Sequence, residues 1–255
     1  MRKFILTLTT LCIALIMQAQ EVNTMYIYHS NGNIEEIPIA EIDSITFTKP
    51  ITNTPDDEPT ISFGTGEAID LGLSVKWASC NVGATSPEEC GGYYAWGETE
   101  EKIDYTWDTY KYCNDSNYQI TKYCTNSSYG TVDNKTTLDL KDDVAHVKWG
   151  GNWRMPTREE LEELFSCDIN WVVYNGVYGY KITGPNGNSI FLPLTGYRSG
   201  TEILKQDTHG IYRSKTVANR SNCAYRLRFD NRSYDFNLWD FAERCLGLTV
   251  RPVCD

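Results

Sequence analysis

Between Thr157 and Phe165 the chain takes on a helical period: Leu161, Leu164 and Phe165 fall at i, i+3 and i+4, with Glu159, Glu160, Glu162 and Glu163 between them. Thr157 followed three residues later by Glu160 has the spacing of a capping box, in which hydroxyl and carboxylate each accept a backbone N–H at the helix start. The pattern predicts a helix over 158–165, with its glutamates near the positive end of the helix dipole or on the wet face. Trp149 and Trp153, set among glycines just upstream, are expected to pack in the core.

Downstream the period falls to two. Residues 170–174, the turn Asn175-Gly176, residues 177–183, the turn Pro185-Asn186-Gly187-Asn188 and residues 189–192 spell a three-stranded meander. Residues 210–214, 224–229 and 248–253 read as closing strands. In the middle one, Ala224, Leu227 and Phe229 oppose Tyr225, Arg226 and Arg228 in the imperfect alternation of a half-exposed strand.

Upstream, Asn31-Gly32 between the runs 25–28 and 34–39 predicts a hairpin, followed by a turn and a strand at 44–47. Such a module is too small to bury a core of its own. Residues 50–59 carry three prolines and three acids and have the composition of a linker. Residues 68–78 then open a main domain as strand and turn, and the glycine-bounded aromatic run 91–98 adds a strand. Residues 99–136, rich in Tyr, Asn, Ser, Thr and Asp, show no period and read as a long loop rather than a core element.

Met1-Arg2-Lys3, an uncharged apolar run of roughly 14 residues and Gln18-Ala19-Gln20 read as a secretory signal peptide. The run falls short of the roughly 20 residues that span a bilayer. The expected organisation is a signal peptide at 1–20, a hairpin module at 21–48, a linker at 49–66 and the main domain at 67–255, with no membrane span in the mature chain. With 41% hydrophobic and 13% aromatic residues the chain has ample material for a core. Its net charge of −11 repels phosphate backbones, so nucleic acid is not an expected partner.

Of nine cysteines, Cys12 lies in the leader. An even count behind a signal peptide points to disulfides, although eight cysteines allow 105 connectivities. Cys113 and Cys124 bracket one polar loop and are expected to pair. No Cys-x-x-Cys pair, His-Glu-x-x-His, Gly-x-Ser-x-Gly or phosphate-binding loop occurs, so no metal, cofactor or catalytic residue is expected. His29, His146 and His209 lie in separate segments and read as surface or packing residues. Asp142-Asp143 reads as a cap or loop closure in preference to a cation site.

Asp70-Leu71-Gly72-Leu73-Ser74-Val75-Lys76-Trp77-Ala78, Tyr94-Ala95-Trp96-Gly97-Glu98, Asp142-Asp143-Val144-Ala145, Trp153-Arg154-Met155-Pro156-Thr157, Gly196-Tyr197-Arg198 and Val250-Arg251-Pro252-Val253-Cys254 together resemble the major paralogous domain family first named from Fibrobacter succinogenes, of the type found on secreted Bacteroidetes proteins. The Arg154 to Thr157 stretch is also similar to the helix start of formylglycine-generating, sulfatase-modifying proteins, but the closely spaced reactive Cys pair of those enzymes is missing. The resemblance implies an α+β, C-type-lectin-like domain with one or two helices and antiparallel sheets, its terminal strands side by side and its long loops carrying the ligand site. It further implies a Cys80–Cys254 bridge. The calcium-binding tripeptides of true C-type lectins are absent.

Residues 219–222 and 230–240 mix amides, acids, arginines and aromatics without apolar period, a composition suited to recognition: aromatic faces stack while Asn, Asp and Arg direct hydrogen bonds. Arg198, Arg220, Asn222, Arg232, Tyr234, Asn237, Trp239 and Asp240 are the expected ligand-binding residues. The expected function is that of a secreted or cell-surface, non-catalytic module binding a glycan or protein. The alternative is a structural or adhesive subunit docking to a partner chain.

Overall fold

The structure is a computed structural model that describes residues 24–28, 34–38, 66–231 and 237–255. The chain divides into two compact units, Met1–Pro59 and Thr60–Asp255. The leader, the linker through residue 65 and the strand expected at 44–47 lie outside the described residues.

In the first unit, β1 (Thr24–Tyr28) and β2 (Ile34–Pro38) pair antiparallel from Thr24↔Pro38 to Tyr28↔Ile34, the hairpin expected around Asn31-Gly32.

The second unit is α+β, built mostly from antiparallel sheets. β3 (Ala68–Asp70) and β4 (Lys76–Ala78) pair with each other, and β4 also takes the last strand, β13 (Val253–Cys254), so that the two ends of the unit lie side by side. The meander forms as its turns dictate, β5 (Asp168–Tyr174), β6 (Val177–Thr183) and β7 (Ser189–Pro193). Asn175 and Gly176 both sit at positive φ, 48° and 81°, as a two-residue hairpin turn requires. A short pair, β8 (Tyr197–Ser199) and β9 (Glu202–Leu204), precedes the sheet of β10 (His209–Val217), β11 (Cys223–Asp230) and β12 (Asn237–Glu243), with β11 in the middle.

Two short helices complete the unit, α1 (Val144–Trp149) and α2 (Arg158–Glu163). At α2 the capping box forms: the Glu160 N–H donates to Thr157 Oγ1 at 3.2 Å, and the Thr157 N–H to Glu160 Oε2 at 2.8 Å. The helix tightens into a 3-10 turn at Leu164–Ser166, so Leu161 and Leu164 are buried while Phe165 turns out to be exposed. Glu160 is not on the wet face: Arg154 grips both its oxygens, at 2.7 and 2.8 Å, and this second role draws the carboxylate inward.

The sequence pattern missed α1, yet its start is Asp143, whose Oδ1 accepts the N–H groups of Ala145 and His146. Both its oxygens also accept the Met155 N–H. One carboxylate therefore starts α1 and holds the strand that leads into α2. Burial pushes its pKa up against these donors and Lys215. Trp149 and Trp153 meet edge to face and are only half-buried, not core residues.

The core has two main parts. Leu71, Trp77, Leu161, Leu164, Tyr180, Ile190, Leu192, Phe229 and Val253 join the terminal strands, α2, the meander and the inner face of the β10–β12 sheet. The other part is aromatic: Trp96, Tyr105, Tyr110, Tyr112 and Tyr123 with Met155 and Val250. Four of these tyrosines come from residues 99–136, so that stretch is irregular in backbone but belongs to the core. Each ring is buried while its hydroxyl can find an acceptor, as with Tyr105 on the Tyr93 carbonyl, Tyr110 on the Trp96 carbonyl and Tyr123 on Asp142.

Backbone hydrogen bonds close this stretch: Asn114 N–H to the Gln119 carbonyl, and Ile120 N–H to that of Tyr129. Cys113 lies opposite Ile120, while Cys124 is buried four residues further on, its thiol donating to the Asn126 carbonyl. The eight described cysteines are all thiols, which departs from the expected Cys113–Cys124 and Cys80–Cys254 bridges. For the second pair the reason is register. Cys254 lies opposite Lys76, and Cys80 is four residues further along, about 13 Å at extended-strand spacing, against the roughly 7 Å that a disulfide spans.

Candidate functional site

Alternation along β10 and β11 gives their sheet two unlike faces. Tyr212, Leu227 and Phe229 point into the core, where α2 packs. Gly210 belongs to this packing: it pairs with Phe229, whose ring occupies the space that a Cβ would need. His209, Ile211, Arg226 and Arg228 lie on the opposite face and line an open groove of about 340 Å³ with Tyr197, Lys205, Phe241, Ala242, Glu243 and Leu246.

The register sets the groove's electrostatics. Arg213 on β10 lies opposite Arg226 on β11, which lies opposite Asp240 on β12. Arg226 Nη2 reaches Asp240 Oδ2 at 2.7 Å, and Arg228 Nη1 approaches the same oxygen at 3.5 Å. One carboxylate thus serves two guanidiniums. Arg213, almost fully buried, donates only to carbonyls, those of Ala242, Glu243 and Leu246 at 2.9 to 3.2 Å. Burial pulls its pKa down, and the neighbouring Arg226 pulls it further. The Nε atoms of Arg213 and Arg226 are both buried with no hydrogen-bond partner.

Arg228 Nη2 lies 3.2 Å from His209 Nε2, a contact that makes the imidazole nitrogen the acceptor and therefore unprotonated. Burial first, then Arg228, lowers the His209 pKa. Lys205 is exposed at the rim and adds to the same effect.

Of the residues expected at the site, Asp240 is the counter-ion that the groove's Arg226 and Arg228 share, beside the groove rather than in its lining. Arg220 is exposed and lies over the ring of Phe241, 5.6 Å from its centroid, at the groove's edge. Asn222 is scaffold: it is buried, its carbonyl accepts the Arg244 N–H, and its side-chain oxygen lies 3.5 Å from the Cys223 thiol. Arg198 sits over the Tyr93 ring, and its backbone pairs with Gly247. Arg232 and Tyr234 lie outside the described residues. Asn237 and Trp239 belong to β12, so part of the expected recognition loop is an edge strand; their side chains are outside the description.

Sequence reasoning placed Arg226 and Arg228 on a half-exposed strand without seeing them as a site, and read His209 as a surface or packing residue. The available signal was the period-two placement of the two arginines against Leu227 and Phe229. Among the described residues no group of three or more His, Cys, Asp or Glu could hold a metal ion, and no helix is long and apolar enough to cross a membrane. No family model matches the sequence, no curated protein does, and no solved structure matches the fold.

Proposed function

We propose that residues 67–255 form a C-type-lectin-like domain of the major paralogous type. In this reading the chain is a secreted or cell-surface, non-catalytic module that binds a glycan or protein ligand in the groove over β10, β11 and β12. The observation that carries the reading is the groove's composition. Tyr197 offers aromatic surface, and Arg226 and Arg228 offer directional donors on a sheet rather than a loop, a combination suited to recognition. The pairing of the unit's two ends, its two short helices and its long irregular stretch agree with the proposed fold, and the apolar leader motivates export. Glycan arrays probed with the mature protein test this reading. Binding to a defined glycan that is lost on Tyr197→Ala supports it, and binding unaffected by that change would move the site elsewhere.

A second reading, a structural or adhesive subunit, is favoured by the exposed Val173 and Tyr178 next to the β5–β6 turn, where Tyr178 stacks on Trp171 with centroids 5.8 Å apart. A co-purifying partner chain, released by Tyr178→Ser together with silent glycan arrays, would select it.

A further inference from the structure

We infer that the ligand of the β10–β12 groove carries an anionic group, the carboxylate or sulfate of an acidic saccharide, which docks between Arg228 and Lys205. The inference rests on the reading of this groove as the recognition site and names the chemistry that the site takes.

Its basis is a shortage of counter-charge. Arg213, Arg226 and Arg228 come together on one face through the pairing of β10 with β11, and Lys205 stands at the rim. Against these four cations stand three carboxylates: Asp240, already bound to Arg226 at 2.7 Å, the exposed Glu243 at the β12 end, and Asp230, opposite His209 at the end of β11. Arg228 is served least well. Its Nη1 is 3.5 Å from Asp240, at the outer limit of a hydrogen bond, and its Nη2 contacts a neutral imidazole in place of a carboxylate. Its side chain is 41% exposed, so it can turn toward a ligand without leaving a buried charge behind.

The facing pair Arg213 and Arg226 supplies an independent reason. Like charges directly opposite across a sheet repel, and the Arg213 guanidinium is held by carbonyl dipoles alone. An anion in the groove would lower this repulsion, so binding it gains more than its contact with Arg228 alone. The rest of the molecule makes the feature stand out: the chain carries 34 acidic residues against 23 basic ones, and its overall field opposes anions. A local excess of positive charge kept on such a surface has a local use. Guanidinium suits carboxylate and sulfate because its planar donors match two oxygens at once, while Tyr197 can cover the sugar ring.

The test is calorimetric titration of the full mature chain with uronate-bearing, sulfated and neutral oligosaccharides of matched length. The expected result is binding of an acidic series, with the neutral series at least about tenfold weaker. Arg228→Gln and Lys205→Gln, both at exposed side chains, should each weaken the acidic series about tenfold, and the remote charge control Lys135→Gln should leave it unchanged. The uronate and sulfate arms identify which anion is preferred. Equal binding of acidic and neutral sugars, abolished by Tyr197→Ala but not by Arg228→Gln, would overturn the anion while leaving the groove as the site. Binding by neither series would overturn both.

Discussion

Two arginines carry more of the scaffold than their type leads one to expect. Arg251 is fully buried and donates to Asn81 Oδ1 and to the carbonyls of Ala78, Ser79 and Phe191, clipping the entry strand and the meander to the C-terminal strand. Arg244 does the same for the aromatic core: it donates to the carbonyls of Lys122, Tyr123 and Ser221 and stacks on Trp96 at 4.4 Å. Removing such a side chain leaves several buried carbonyls without donors, so Arg251→Ala is expected to cost about 3 kcal/mol or more, read from urea melts. At the groove, His209 titrates below its ordinary 6.5. A native group that binds fewer protons than the unfolded chain gives stability that is present above pH 6.5 and lost as the pH falls through its lowered value. Imidazole NMR should therefore find His209 half-protonated below pH 6.5, and Arg228→Gln should move that midpoint up. A midpoint above the ordinary value in the native protein would contradict the contact with Arg228.

Element by element, what was legible in the sequence followed from local rules. The capping box, the turns at Asn175-Gly176 and Asn186-Gly187 and the meander register depend on residues a few positions apart, and they stand where the pattern put them. Thr157→Ala should cost about 1 kcal/mol and leave ligand affinity unchanged, because the cap lies under the inner face of the sheet and the groove on its outer face. Asp143→Ala should cost more than Thr157→Ala in the same denaturant melts, since this one carboxylate serves the N–H groups of Ala145, His146 and Met155. Equal costs would mean that the tie to Met155 contributes nothing. What local rules missed was set by distant partners. β12 is a strand because β11 offers it an edge, from Cys223↔Glu243 to Arg228↔Asn237, and its mixed composition carries no signal of that. Asp240 was read as a loop residue for the same reason.

At the scale of the whole molecule, the aromatic core explains the largest misreading. Residues 99–136 lack a period because Tyr105, Tyr110, Tyr112 and Tyr123 are buried from an irregular backbone, and periodicity cannot report such packing. One contact of this stretch also has a pH signature. Burial acts to raise the Asp142 pKa, but Lys122 Nζ at 2.6 Å, with Tyr112 and Tyr123, outweighs it and holds the carboxyl at about 2. That stability is present above pH 3.8 and disappears as the pH falls through about 2.

The terminal strands lie together in a register that sets Cys254 opposite Lys76, four residues from Cys80. Peptide mapping of the oxidised protein should accordingly find no peptide linking the two, and a linked peptide would require β13 to slip along β4.

The central claim, that recognition belongs to the outer face of the β10–β12 sheet, is tested most directly by mapping backbone amide NMR shifts as a ligand selected on glycan arrays is titrated in. The account predicts that the largest shifts fall on Lys205, His209, Arg226, Arg228 and Phe241, with little change at Tyr178 or in residues 99–136. Shifts concentrated at the β5–β6 turn or in the aromatic stretch, with His209 and Arg228 silent, would contradict it.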